Sequence, residues 1–346
     1  MTCSCKKKVD IPRNPGKTIN AVEPIGAVDE LKESHIVNDP LAEGKVEVVR
    51  YSDAVKGVEP RRGKVRDVYD LGKEMLIVTT DRISAYDVVF PTLIPHKGES
   101  INRLSEFWFK KTRNIIPNHF IKIEDGRTMR VKKAERIDIE FVCRAYLYGS
   151  AWRSYRDGAR TVSGVKLPNG LNMADKLPEV ILTPTTKAEA GHDLEISGKD
   201  AIAQNLVTKD EWMELEESTL KLFAAYQSHA KSRGFIIPDF KLEFGRLDGG
   251  LIQIDEPPSH DSARFWAEKF YEPGKPQEAH CLDKEFLRAY LREVGYMGDG
   301  PAPEIPAPVV KQVSMRCVAS YEVLSSEKNL SDYNLKNIAQ VMRELK

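Results

Sequence analysis

Two acids flank a turn in the stretch from Pro238 to Glu256, and their spacing suggests a pair of facing carboxylates. Leu242 and Phe244 alternate with Lys241 and Glu243 ahead of Asp248-Gly249-Gly250, and Ile252 and Ile254 alternate with Gln253 and Asp255 after it. This is the pattern of a β-hairpin. A slip of one residue moves every side chain to the other face of a sheet, so the alternation argues a register. Phe244 is expected opposite Ile254, with a three-residue Asp248-Gly249-Gly250 loop carrying a left-handed glycine, and Glu243 then faces Asp255. Like charges placed opposite each other repel unless a cation or a protein base separates them. Hard carboxylate oxygens suit Mg²⁺, which takes one or two protein carboxylates and fills its shell with phosphates and water. The competing reading is a solvated acidic strand face. Asp239 and Lys241 lie at alternate positions and share the face of Glu243.

Cations that could meet a phosphate occur elsewhere. Gly63-Lys64-Val65-Arg66-Asp67 projects Lys64 and Arg66 to one side of a strand, where they could neutralise a polyphosphate or simply be solvated. It is not a Walker A loop, and Gly16-Lys17-Thr18 lacks the upstream glycine that loop needs. Asp81-Arg82-Ile83-Ser84-Ala85-Tyr86-Asp87 gathers polar groups after an apolar strand, as a binding loop or as a hydrogen-bonded turn. Arg144 with the turn Gly149-Ser150 offers a planar fork, a hydroxyl and backbone donors for a phosphate or carboxylate. The segment from Thr183 to Glu189 supplies hydroxyls and Lys187 beside a proline-fixed turn, or else starts a helix with a capping residue. Arg264 returns a cation close to the carboxylates. Ser259-His260-Asp261 cannot act as a hydrolase triad, because three adjacent residues do not converge. Zinc-protease, dinucleotide and zinc-ribbon motifs are absent from the sequence.

The elements that must position these groups follow from periodicity. Of the 346 residues, 1–44 are polar and proline-dotted and read as a flexible extension. Residues 45–134 carry short β-branched segments of a small, mainly antiparallel lobe, namely Val46–Val49, Lys64–Tyr69 and Glu74–Thr80. Within that lobe Leu104–Lys111 reads as a helix with Leu104, Phe107, Trp108 and Lys111 along one side. Residues 135–282 form a larger α+β region. It opens with a strand over Ile137–Arg144 and holds a helix from about Lys209 to Arg233, whose apolar face is Trp212, Leu215, Leu220, Phe223, Ala224 and Tyr226. Residues 283–346 are helical, interrupted by the proline-rich linker Pro301–Pro306.

Composition narrows the partners. Lys+Arg and Asp+Glu both number 52, so no net field recruits nucleic acid or an anionic membrane surface. No apolar run reaches membrane-spanning length and the N-terminus has no apolar signal core, which makes the cytoplasm the expected location. Cys143, Cys281 and Cys317 sit in core or helix patterns, while Cys3 and Cys5 lack zinc spacing.

Taken in order, these segments resemble the SAICAR synthetase family, the phosphoribosylaminoimidazole-succinocarboxamide synthases. The resemblance rests on Gly63–Asp67, Asp81–Asp87, Leu104–Phe109, Gly149–Trp152, Thr183–Glu189, Lys241–Gly245 and Ser262–Trp266. It implies an α+β fold related to the ATP-grasp enzymes, with a small antiparallel β-rich lobe, a larger α+β lobe and C-terminal helices. The implied activity is that of an ATP-dependent ligase of de novo purine biosynthesis. Such an enzyme joins L-aspartate to a phosphoribosyl-aminoimidazole carboxylate through an acyl phosphate, with ATP as co-substrate and Mg²⁺ as cofactor. Carried over by motif, Glu243 and Asp255 would hold the metal, Lys64 and Arg66 the ATP phosphates, and Arg130 and Lys132 would lie along the adenine. Arg144, Ser150, Asp239, Lys241 and Arg264 would hold the imidazole nucleotide. Lys187, Lys241 and Arg264 would serve the reacting groups, and Asp81, Arg82 and Ser84 would line the substrate cleft. The chain departs from the family where Asp255 leads into Glu256-Pro257-Pro258-Ser259-His260-Asp261-Ser262-Ala263 rather than Glu-Val-Leu-Thr-Pro-Asp-Ser-Ser. A Mg-dependent small-molecule phosphotransferase is the alternative enzyme, though the kinase His-Arg-Asp and Asp-Phe-Gly triplets are missing. A nucleotide-binding protein without catalysis is the third reading. The residues that grip aspartate and the oligomeric state are left open.

Overall fold

The β-branched segments form antiparallel strands, and the computed structural model describes residues 33–187 and 194–345. Most of the expected N-terminal extension lies outside these residues. Its last part is not extension but strand: β1 (Ser34–Asn38) pairs with β2 (Lys45–Val49), Ser34 opposite Val49 and Asn38 opposite Lys45. Ile36 and Val37 supply the β-branched side chains that a pleated surface favours.

A five-stranded antiparallel sheet follows. It runs in the order β3 (Arg61–Arg62), β4 (Arg66–Asp70), β5 (Glu74–Thr79), β9 (Thr128–Lys132), β8 (Phe120–Ile123). Between β5 and β8 lie the two-stranded hairpin of β6 (Ser84–Ala85) and β7 (Val88–Val89) and the helix α1 (Lys97–Thr112). Strand β4 begins at Arg66, so Lys64 stands in the loop before it rather than on the strand.

The second sheet has six strands. Its central path is β10 (Glu135–Arg136), β17 (Asp239–Leu247), β11 (Ile139–Tyr146) and β14 (Lys176–Leu182), with β15 (Thr185–Thr186) on β11 and β18 (Gly250–Ile254) on β17. Two short pairs, β12 (Thr161–Val162) with β13 (Val165–Lys166) and β16 (Phe235–Ile236) with β19 (Trp266–Ala267), complete the strands. The helices α2 (Gly149–Arg156), α3 (Gly198–Ala203), α4 (Lys209–Ser232), α5 (Glu285–Glu293), α6 (Ala307–Ser325) and α7 (Ile338–Glu344) pack around this sheet. The fold class is α+β.

α4 starts at a capping box, in which the Thr208 hydroxyl accepts from the Glu211 amide and the Glu211 carboxylate accepts from the Thr208 amide. Its buried stripe is Leu215, Ser218, Thr219, Leu222, Phe223, Tyr226 and Ala230. Leu220 and Ala224, expected on that stripe, face outward, because the helix turns its small polar Ser218 and Thr219 inward instead. α1 likewise buries two faces. Leu104 and Trp108 join the large core, where Trp108 meets Tyr226 edge to face at 4.9 Å, while Phe109 packs with Ile77, Met129 and Val131 of the small sheet. The helix thereby fixes one sheet against the other, and Lys111, expected on the packed side, is exposed.

The β17–β18 hairpin departs from its expected register. Glu243 pairs with Ile254, Phe244 with Gln253 and Leu247 with Gly250, so the loop is the two-residue Asp248-Gly249 turn. Both loop residues have positive φ, 51° and 80°, the requirement of a type I′ turn. Alternation misled here because β18 is covered on both faces: Ile252 and Gln253 are both buried, and Gln253 meets the Tyr226 hydroxyl at 3.3 Å. Asp255 therefore lies one residue past the strand rather than opposite Glu243.

Gly245 is where β10 crosses closest to β17. A Cβ there would lie 2.8 Å from the Glu135 carbonyl oxygen and 3.0 Å from the Ala134 Cβ. Gly245→Ala is expected to push β10 off β17 and destabilise the protein by about 1–3 kcal/mol, the usual range for overpacking, measured as a shift in the urea midpoint. An unchanged midpoint would show that the strand pair has room to spare.

Candidate functional site

Strand β17 has one apolar and one ionic face. Phe240, Leu242 and Phe244 enter the core, and Asp239, Lys241 and Glu243 occupy the alternate positions. Each of the three meets an opposite charge from a different element. Lys241 donates to Glu140 of β11, Glu243 accepts from Lys187 just after β15, and Asp239 accepts from Arg264 at 2.5 Å. Glu140, a buried acid flanked by apolar residues, was not singled out in the sequence, and its position among Ile139, Phe141 and Val142 was the available signal.

Asp255 has φ +63° and turns the chain so that its carboxylate meets Arg66 of β4, at 2.7 Å and 3.1 Å. Glu256 lies 3.9 Å from the same guanidinium. The charge of Asp255 also reaches Glu243. Burial pushes the Glu243 carboxyl up to about 7, with the negative charge of Asp255 as the next cause, against the pull of Lys187 and Lys241. Burial would raise Asp255 as well, but Arg66 holds it well below the usual carboxylate range. Lys241 is desolvated, yet Glu140 and Glu243 together keep its affinity for a proton above the ordinary lysine value. The hairpin thus brings Glu243 and Asp255 into one electrostatic cluster by a left-handed backbone step instead of direct strand opposition. Among the described residues no three acid, histidine or cysteine side chains gather as a ready-made metal cage.

A second cluster adjoins the first. Arg144 stands opposite Asp239 in the β11–β17 ladder and donates to the Thr183 hydroxyl at 2.9 Å and to the Ser150 hydroxyl at 3.2 Å. Gly149 has φ +60°, and a Cβ at this position would collide with the Arg264 guanidinium, which also lies over the Tyr148 ring at 5.4 Å. Two buried atoms here lack a hydrogen-bond partner among the described residues, Asp239 Oδ2 and Arg264 Nε. Unmade bonds of this kind are uncommon in folded proteins and mark a place where a ligand can complete them.

Asp81, Arg82 and Ser84, expected to line a cleft, are all three buried. Asp81 accepts from the Val49 and Gly98 amides and from Arg127. Arg82 donates to the Gly63 and Lys64 carbonyls, each at 3.0 Å, and to Asp67 at 2.8 Å. A buried acid or base must be compensated, and Arg82 is compensated by the carbonyls of the loop that carries Lys64. It braces that loop. Lys64 itself is exposed and pairs with Asp87, beside a β6–β7 turn in which Tyr86 and Asp87 both have positive φ. Arg130 is held on the small sheet by Glu124 and Glu74, and Lys132 is exposed.

In the loop that departs from the family pattern, Ser259, His260 and Asp261 diverge. Asp261 pairs with the buried Lys97 at 2.6 Å, with Lys284 at 3.7 Å, and His260 Nδ1 faces the Ser320 hydroxyl at 3.2 Å. Ala188 and Glu189, the end of the segment around Lys187, lie outside the described residues.

Comparison with known proteins gives concordant results. A family model for SAICAR synthetase matches residues 59–303. The phosphoribosylaminoimidazole-succinocarboxamide synthase of Desulfosudis oleivorans is 43% identical over 280 residues, 76% of this chain and 94% of that protein. The enzyme of the same name from Thermodesulfovibrio yellowstonii is 39% identical over 288 residues, 79% of this chain and 97% of that protein. Among solved structures, SAICAR-synthase from Saccharomyces cerevisiae complexed with SAICAR aligns with a TM-score of 0.71 at 34% identity, covering 80% of this chain and 98% of that one.

Burial of His260 has a consequence for pH. Desolvation depresses its proton affinity to about 3, whereas an unfolded histidine titrates near ~6.5. The unfolded chain therefore takes up a proton that the folded protein refuses. The stability contributed by neutral His260 is complete above that unfolded value and is lost as pH falls, at a slope of about 1.4 kcal/mol per unit. Urea unfolding at pH 7 and pH 5 is expected to show a smaller loss in His260→Gln than in the parent chain, and equal losses would contradict this.

Proposed function

The chain belongs to the SAICAR synthetase family, and we propose that the ionic face of β17 is where its reaction takes place. Members of the family use ATP to join L-aspartate to a phosphoribosyl-aminoimidazole carboxylate in de novo purine biosynthesis, so the chain is a carbon–nitrogen ligase acting on small molecules. No described helix is long and apolar enough to cross a membrane. With its balanced charge the enzyme is proposed to work in the cytoplasm without a nucleic-acid partner.

The observation that carries the reading is the adjacency of two clusters on one strand. Asp239, with Arg144, Ser150 and Arg264, offers two cations, a hydroxyl and unfilled hydrogen bonds. Two and four residues on, Lys241 and Glu243 stand with Lys187, Asp255 and Arg66. The first cluster suits the phosphoribosyl-imidazole substrate, because guanidinium forks and hydroxyls recognise phosphate and carboxylate. The second suits the phosphates of ATP, with Lys64 and Arg66 as cations and the β9 residues Arg130 and Lys132 along the base. The imidazole carboxylate, a poor acyl donor, attacks the γ-phosphorus and ADP departs. The aspartate amine then attacks the acyl carbon of the acyl phosphate, a C–N bond forms, and the C–O bond to phosphate breaks. Such transfer needs positioning and charge neutralisation, which Lys187, Lys241 and Arg264 supply at the reacting oxygens.

Glu243 and Asp255 also fit a divalent cation. They present hard oxygens from the two arms of one hairpin, and the repulsion by Asp255, which adds to burial in raising Glu243, would be relieved by positive charge between them. Bound there, Mg²⁺ would neutralise the phosphate oxygens of ATP.

Glu243→Gln is expected to lower kcat by about 100-fold or more, in line with loss of a preorganised electrostatic group, with little change in the KM for aspartate. In the parent chain ADP release over many turnovers must require both aspartate and the imidazole carboxylate. Sustained release with the carboxylate alone, beyond one ADP per active site, would instead favour a phosphotransferase.

A further inference from the structure

His119 is buried beneath the hairpin, and its imidazole is the one side chain hydrogen-bonded to the Asp255 backbone among the described residues: Nε2 lies 3.1 Å from the Asp255 carbonyl oxygen. A carbonyl only accepts, so Nε2 carries the proton and donates. The backbone of the same segment is stitched to β18. The His119 amide donates to the Gln253 carbonyl at 3.0 Å, the Gln253 amide donates to Pro117 at 2.8 Å, and Asn118 bridges Gln253 in parallel. From the other side, the Lys132 amide of β9 donates to the His119 carbonyl at 2.7 Å, and the ring packs edge-on against Phe109 of α1 at 5.1 Å.

This matters because of what Asp255 does. It leaves β18 with φ +63°, a conformation uncommon for non-glycine residues, though aspartate tolerates it better than most, and one that a hydrogen bond to its carbonyl can hold in place. Without that step its side chain would continue the strand alternation and would not join Glu243 and Arg66.

We propose that His119 is a positioning residue: its Nε2–H, held by the small sheet and α1, fixes the left-handed backbone of Asp255 and so aims that carboxylate at the ion shared with Glu243. The inference rests on reading Glu243 and Asp255 as the ion-binding pair. It makes His119 the point at which the small sheet sets the geometry of a carboxylate belonging to the large one.

The test uses the full chain with Mn²⁺ as the probe in the presence of ADP, and follows bound Mn²⁺ by electron paramagnetic resonance. His119→Phe keeps a ring against Phe109 and loses the donor, and His119→Gln keeps a donor. Losing an outer hydrogen bond to a metal site typically weakens metal binding by about 10–100-fold, and that is the loss expected for His119→Phe. His119→Gln is expected to recover most of the affinity, with the KM for aspartate unchanged in both. Amide exchange near Gln253 and Asp255 should quicken in His119→Phe alone, which a general loss of stability would not confine to that place. Parent-like Mn²⁺ affinity in His119→Phe overturns the proposal, as does an equal loss in both variants. If Asp255→Asn and Glu243→Gln leave Mn²⁺ binding intact, the underlying reading of the pair has failed, and the proposal with it.

Discussion

Two carboxylates that would rather be apart are held together in this protein, and much of its architecture serves that constraint. Glu243 lies close enough to Asp255 for that negative charge to add to burial in raising its proton affinity, and the cluster is neutralised by cations from three separate places: Arg66 from the small sheet, Lys187 from the end of β15 and Lys241 from β17 itself. None of these cations is near the acids in sequence except Lys241. Like charges in a partly buried setting persist only when such compensation is built in. A site that holds negative charge beside paired positive charge is suited to receive a polyphosphate and its counterion.

The fold makes this possible through three kinds of local decision. Strand alternation puts Asp239, Lys241 and Glu243 on one face and commits Phe240, Leu242 and Phe244 to the core, so that the ionic row is rigid. Glycines permit close approach where a side chain would intrude, Gly245 under β10 and Gly149 beneath Arg264. α1 then locks the two sheets in relative position by burying Trp108 into one core and Phe109 into the other. With the sheets so fixed, Arg66 can reach across to Asp255, a partner 189 residues later in the chain.

Much of this was legible in the sequence, and the reasons for the misses are physical. The strands and the long helix α4 follow from periodicity, the α+β class from the family resemblance, and the ionic row of β17 from alternation. The hairpin register did not, because β18 is buried on both faces and Gln253 therefore looks like an outward residue while it bonds Tyr226 inside. Left-handed steps such as that of Asp255 leave no trace in a hydrophobic pattern. Asp81 and Arg82 read as binding groups because charged residues in a loop usually face water; here they are consumed by backbone amides and carbonyls, information that exists only in three dimensions. Glu140 and His119 were passed over for the converse reason, as isolated polar residues in apolar surroundings whose partners lie far along the chain.

On the proposed reading, Glu243 and Asp255 exchange their protein cations for a metal ion when nucleotide binds. Anomalous diffraction from crystals of the chain grown with Mn²⁺ and ADP measures this directly. Manganese is predicted between the two carboxylates and the nucleotide phosphates, with Arg66 or Lys187 moved off its acid. Manganese bound by the nucleotide alone, with the Arg66–Asp255 and Lys187–Glu243 pairs both intact, would contradict it.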